Sequence, residues 1–139
     1  MRNLPPDNLP QKVFWSPLPH SMGIELLEAE PGRAVLRLPF SQHLHQSFGQ
    51  LHGGAIFTLA DTASGRAAHS VQPEGKRCVT LEMKINFISA VQDEDCLAEA
   101  RVIHHGETSL VVEATVKSAS GKLVAKTLAT FAVLKAILD

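Results

Sequence analysis

The chain has 139 residues, enough for one domain and not for two. A formal net charge of −1 and an aromatic content of 5%, without tyrosine, exclude a basic nucleic-acid face and a base-stacking platform. No stretch approaches the roughly 20 apolar residues of a membrane span, and the first ten residues lack a signal-peptide apolar run, so a cytoplasmic protein with no membrane or nucleic-acid partner is expected.

Residues 1–20 carry five of the eight prolines (Pro5, Pro6, Pro10, Pro17, Pro19). They predict an extended or irregular arm over 1–20, anchored by Phe14 and Trp15, ahead of a single domain over 21–139. Residues 24–30 read as a strand, Pro31-Gly32 as a turn and residues 33–39 as the returning strand of a hairpin. Residues 53–68 change period: Ile56, Leu59, Ala60, Ala63 and Ala67 recur at helical spacing. That helix is rich in small residues, and Gly65 inside it costs about 1 kcal/mol relative to alanine. Such a composition suits a helix that another element approaches closely, either a curved sheet or its own copy. Residues 71–76, with Pro73 and Gly75, form the exit loop. Strands are expected at 78–88 (apolar Val79, Leu81, Met83, Ile85, Phe87), 95–105, 108–118 and 123–134, separated by His-Gly-Glu and Ser-Gly-Lys turns. The fold class is therefore α+β: one long central helix wrapped by a curved antiparallel sheet of about six strands. Cys78 and Cys96 read as small core or semi-buried residues without a disulfide.

Residues 46–61 carry the chemistry. Gln46 and His52 lead into Gly53-Gly54, where the helix begins, and Asp61 follows about two turns in. A helix start offers free N–H groups and a positive dipole end, and glycine keeps no side chain between those groups and a ligand. An oxygen gaining negative charge would be held there. A carboxylate in an apolar helix is costly unless paired, so Asp61 is a candidate base or nucleophile. This outlines a site for cleaving an acyl bond without serine, cysteine or metal. His43, His45 and His52 invite a metal reading, but no His-Glu-x-x-His or Cys-x-x-Cys spacing supports one, so no metal is expected.

Leu51-His52-Gly53-Gly54-Ala55, followed by Leu59-Ala60-Asp61-Thr62-Ala63, resembles the hotdog-fold acyl-CoA thioesterases, in particular their phenylacetate-degradation (PaaI-type) branch. Thr80-Leu81-Glu82-Met83-Lys84-Ile85-Asn86-Phe87 falls where that family has its long third strand, and the resemblance covers residues 20–135. It implies that the Gly53 N–H polarises the thioester carbonyl, that His52 helps to set the site, and that Asp61 from a neighbouring subunit attacks or activates water. Gln46 stands where the branch usually has asparagine. Glutamine there is similar to the branch of 4-hydroxybenzoyl-CoA thioesterase, which has glutamate at position 61. Gly54, Ser64, Thr80 and Phe57 are the implied substrate-side residues, Thr80 matching a hydroxyl that holds the lytic water in some relatives. Phe48, Phe87 and Ile88 are candidate acyl-pocket residues. Glu107 departs from the basic residue that relatives often carry near the CoA nucleotide. The resemblance implies an acyl-CoA substrate with coenzyme A as part of it, no other cofactor, a homodimer as minimal unit, and a homotetramer as the usual assembly.

Rival readings stay open. A non-catalytic acyl-CoA binding or sensing module could use the same fold, and the thioester donor could be an acyl carrier protein. Hydratase chemistry lacks its usual histidine and acid on the central helix. An α/β-hydrolase would need a Gly-x-Ser-x-Gly elbow, and a nucleotide site a Gly-x-Gly-x-x-Gly or P-loop; none is present.

Overall fold

A computed structural model describes residues 16–135. Phe14, Trp15, Pro5, Pro6 and Pro10 lie outside that range. The arm is not irregular to residue 20: a short helix, α1 (Pro17–Ser21), closes it. Pro17 starts that helix, where a missing N–H costs nothing and the ring pre-sets a helical φ.

β1 (Glu25–Glu30) and β2 (Arg33–Leu38) form the expected hairpin. A 3-10 turn (Gln42–Leu44) then leads to the central helix, α2 (Gly53–Ser70). Gly32 takes φ +80° in the hairpin turn, and its N–H donates to Ser70 Oγ at 2.9 Å, tying the hairpin to the end of α2. β3 (Lys76–Phe87), β4 (Cys96–His105), β5 (Ser109–Ser118) and β6 (Leu123–Lys135) complete one antiparallel sheet in the order β1-β2-β4-β5-β6-β3. After the helix the chain thus crosses to the far edge as β3, returns beside the hairpin as β4, and builds outward through β5 and β6 until β6 pairs with β3.

Alanine explains how closely helix and sheet meet. Ala34, Ala100 and Ala114 are register neighbours across β2, β4 and β5, and all three are buried. Facing them, α2 buries Ala60, Ala63, Ala67 and Ala68. Small residues on both sides let the helix lie low on the sheet, and Leu36, Leu38, Leu59, Leu110 and Val112 fill the remaining space. The α+β architecture is the one read from the sequence.

β3 departs from simple alternation. Thr80 pairs with Phe131 and Glu82 with Thr130, so Leu81 is an extra, unpaired residue, 63% exposed. Such a bulge reverses which side chains face inward. Before it, Cys78 and Thr80 turn toward α2; after it, Met83 and Ile85 pack on the core. The apolar residues Val79, Leu81, Met83, Ile85 and Phe87 of the expected strand therefore do not all share one buried face. The two sheet edges differ as well. β1 carries Glu25, Glu28 and Glu30, whereas β3 exposes Leu81 and Phe87.

Candidate functional site

The start of α2 is organised by its own first side chain. His52 is the N-cap with extended backbone (φ −65°, ψ 136°), and its Nδ1 accepts the Gly54 N–H at 2.8 Å. With Nδ1 accepting, the proton of the neutral ring sits on Nε2. The His52 backbone N–H donates to Leu44 O at 2.9 Å, fixing the loop that delivers the cap. A Cβ at position 54 would stand 3.0 Å from that Nδ1, so glycine is what lets the imidazole close over its own helix end. The Gly54 amide, expected to be open to substrate, is therefore already taken. The Gly53 N–H has no acceptor among the described residues, and the Phe87 ring lies 3.3 Å from where a Gly53 Cβ would be. Gly53 is the donor left for an incoming oxygen.

Asp61 lies eight residues on, about 12 Å along the axis at 1.5 Å per residue. Thr80 Oγ1 donates to Asp61 Oδ1 at 2.8 Å, a contact that exists because the β3 bulge turns Thr80 toward the helix. Asp61 Oδ2 has no hydrogen bond among the described residues. The pair opens into a cleft of about 430 Å³ between α2, β3 and β6, with α1 on its rim. Phe57 lines the cleft, as expected of a substrate-side residue.

Four other expected residues are placed differently. Gln46 turns back on its own loop: Oε1 accepts the Phe48 N–H, and Nε2 donates to Gln50 Oε1 at 3.3 Å. Ser64 is fully buried on the sheet side of α2, and Oγ has no partner there, so it does not share the cleft with Asp61. Ser64 lies about 60° around the helix from Asp61, on the side where Ala60, Ala63 and Ala67 are buried, so it falls within that alanine stripe. Phe48 is 85% exposed and Ile88 is exposed, and neither lines the cleft. Sequence reasoning missed Cys78, Phe131 and Leu18, which do line it. Cys78 carried a usable signal, since it precedes Thr80 by two residues and so shares its strand face. Both cysteines are free; burial pushes the Cys78 thiol up, and burial with nearby acids pushes Cys96 up to about 11. Among the described residues no group of three or more His, Cys, Asp or Glu side chains is placed to hold a metal ion, and no helix is long and apolar enough to cross a membrane.

Comparison with known proteins bears on this geometry. The family model described as "Thioesterase superfamily" matches residues 48–125, which include the helix start, Asp61 and Thr80. The 1,4-dihydroxy-2-naphthoyl-CoA hydrolase of Listeria monocytogenes is 35% identical over 85% of this chain and 96% of its own. The structure of a conserved protein from Pseudomonas aeruginosa superposes with a TM-score of 0.82 at 43% identity, covering 86% of this chain and 95% of that one. The E. coli PaaI protein, from the phenylacetic acid degradation operon, superposes equally well (TM-score 0.82) over 89% of this chain and 88% of its own. At 23% identity it speaks for the shared hotdog fold alone.

Proposed function

The chain belongs to the thioesterase superfamily, and from that premise we propose that it hydrolyses an acyl-CoA thioester to the free carboxylic acid and CoA. The observation that carries the proposal is the split of the two chemical elements along one helix. A free Gly53 N–H and a Thr80-held Asp61 are separated by about 12 Å, too far to act on the same carbonyl carbon. Two copies with their helices antiparallel would bring Gly53 of one chain to Asp61 of the partner subunit, completing two sites at once. The apolar side chains on the β3 edge support such a homodimer, and a dimer of dimers is the assembly we propose. Two free thiols support a cytoplasmic location.

In this mechanism the thioester oxygen lies on the Gly53 N–H at the positive end of α2, where charge gained in the tetrahedral state is stabilised. Asp61 attacks the carbonyl carbon through Oδ2, or takes a proton from a water that does. The carbon–sulfur bond then breaks and the electron pair leaves with the CoA sulfur; on the first route water next hydrolyses the Asp61 anhydride, releasing the acid and restoring the carboxylate, and on the second the proton held by Asp61 passes to the thiolate or to solvent. A thiol with pKa ~8.5 departs without a strong general acid, so none is required of the site. His52 acts by holding the helix start in shape. Coenzyme A enters as part of the substrate.

The test is thiol release from a panel of aromatic, short, medium and long acyl-CoAs, with wild type beside Asp61→Asn and the oligomeric state of each checked. Turnover that falls at least 100-fold in the variant, equivalent to about 2.7 kcal/mol, supports the reading. No turnover on any CoA ester, or turnover indifferent to Asp61, defeats it. A carrier-protein substrate or an acyl-CoA sensor would then lead.

A further inference from the structure

Gly65 sits one turn past Asp61 on the same face of α2. Glycine is a poor residue for a helix interior, because it gives up more backbone freedom than alanine and contributes no packing. Nothing in the fold demands it. A Cβ there would meet Phe131 Cε1 at 3.7 Å, an ordinary contact, and no other heavy atom within 4 Å among the described residues outside the helix's own backbone and the two chain neighbours. Its backbone is not in the left-handed region either. What the missing Cβ does is extend the cleft: Gly65 and Phe131 line it beyond Asp61, with Cys78 and Thr80 opposite on β3.

Direction follows from the two-chain geometry. An axis that brings Gly53 of one chain to Asp61 of the partner subunit passes near Phe57, so the overlap of the two helices spans 53–61. Space for an acyl group therefore lies on the far side of Asp61, against Gly65. Four residues at 1.5 Å each put that surface about 6 Å beyond the carboxylate. A benzoyl or hexanoyl group spans this length and an acetyl group does not.

We propose that Gly65 is the residue that sets acyl specificity, opening the cleft to acyl groups of arylacyl or medium-chain length. This rests on the thioesterase reading above. The walls suit such a group: Leu18, Phe57 and Phe131 are apolar, and Asp61 and Thr80 hold the polar end.

The experiment compares wild type, Gly65→Ala and Gly65→Leu in two readouts. The first is the ratio of kcat/KM for hexanoyl-CoA to that for acetyl-CoA. It is expected to fall about tenfold in Gly65→Ala, the scale of one methyl group in a fitted pocket, and further in Gly65→Leu. The second needs no turnover. Alkylation of the half-buried Cys78 by N-ethylmaleimide is followed with and without a non-hydrolysable hexanoyl-CoA thioether; the fully buried Cys96 stays silent. The thioether should protect Cys78 in wild type and not in Gly65→Leu. Gly65→Ala should raise Tm, showing that the fold accepts the methyl group. A ratio within twofold of wild type in a folded Gly65→Ala overturns the proposal and leaves the thioesterase reading standing. A lowered Tm in Gly65→Ala also overturns it, because glycine would then be structural. If wild type hydrolyses no ester, the thioesterase reading falls, and Cys78 protection alone decides whether the cleft takes the acyl group.

Discussion

The His52 cap and Gly54 form a pair whose coupling can be worked out in advance. Removing the imidazole in His52→Ala leaves the Gly54 N–H without its acceptor, a loss of about 1 kcal/mol for an N-cap. That is about 4 °C in Tm for a chain of this size. Gly54→Ala alone gains up to about 1 kcal/mol of helix propensity. Its Cβ would stand 3.0 Å from Nδ1 and 3.3 Å from Cε1, so the imidazole must give by a few tenths of an ångström, which lengthens and weakens the cap hydrogen bond. The two effects partly cancel, and Gly54→Ala should stabilise by less than that. In the His52→Ala background there is no ring to displace, and the same substitution should stabilise by up to about 1 kcal/mol. The double-mutant cycle, read by urea unfolding at fixed protein concentration, should therefore show a coupling of up to about 1 kcal/mol. Additive effects, within about 0.3 kcal/mol, would refute the cap and the explanation of the second glycine with it.

Four further outcomes are expected. Thr80→Val keeps the strand and removes the donor to Asp61; a hydrogen bond to a charged group is worth about 1.5–3 kcal/mol, so kcat on the best ester should drop tenfold to a hundredfold. Recovery in Thr80→Ser is the companion result, and an unchanged kcat sinks the role. Leu81→Asp places a charge on the β3 edge and should yield monomers by light scattering together with lost turnover; an active monomer would contradict the two-chain site. Because burial raises both thiols, iodoacetamide at pH 8 should leave Cys96 unmodified until the chain unfolds, as read by mass spectrometry, and rapid labelling of Cys96 in the native protein would argue against that burial. The Arg33 hydrogen bond holds the Glu99 carboxyl below its usual range, so its contribution is present above the unfolded value of about 4.3 and lost as pH falls through the folded one. Glu99→Gln should make Tm less sensitive to acid, by a small amount because the pair is partly open to solvent, which screens it; an unchanged slope counts against it.

Elements were legible where one periodicity held over a whole segment. The alternation of β2, β4, β5 and β6 and the 3.6-residue spacing of α2 placed each boundary within a residue or two. The limits of that reading are equally physical. Alternation carries no mark of an inserted residue, so the bulge at Leu81 was invisible, and with it the way Thr80 reaches Asp61. A histidine before two glycines gave a helix start but not which amide its ring would occupy. Helical spacing grouped Ser64 with Asp61, which stand only about 60° apart around the axis, but that offset carries Ser64 past the edge of the cleft into the buried alanine stripe. The proline-rich arm hid α1, since proline breaks a helix anywhere but in its first turn.

The unlike edges of the sheet bear on how far association can run. Growth of an open filament requires two compatible ends on every unit, one to give and one to receive. Here the β1 end presents three glutamates, partly answered by Arg33 and Arg37, around the partly exposed Leu26 and Leu27, whereas the β3 end exposes Leu81 and Phe87 more fully. A pairing of β3 with β3 consumes that end in both copies and leaves acidic termini that repel a third. The strand order, which sends the chain to the far edge directly after the helix, thereby makes sheet extension a reaction that stops after one step.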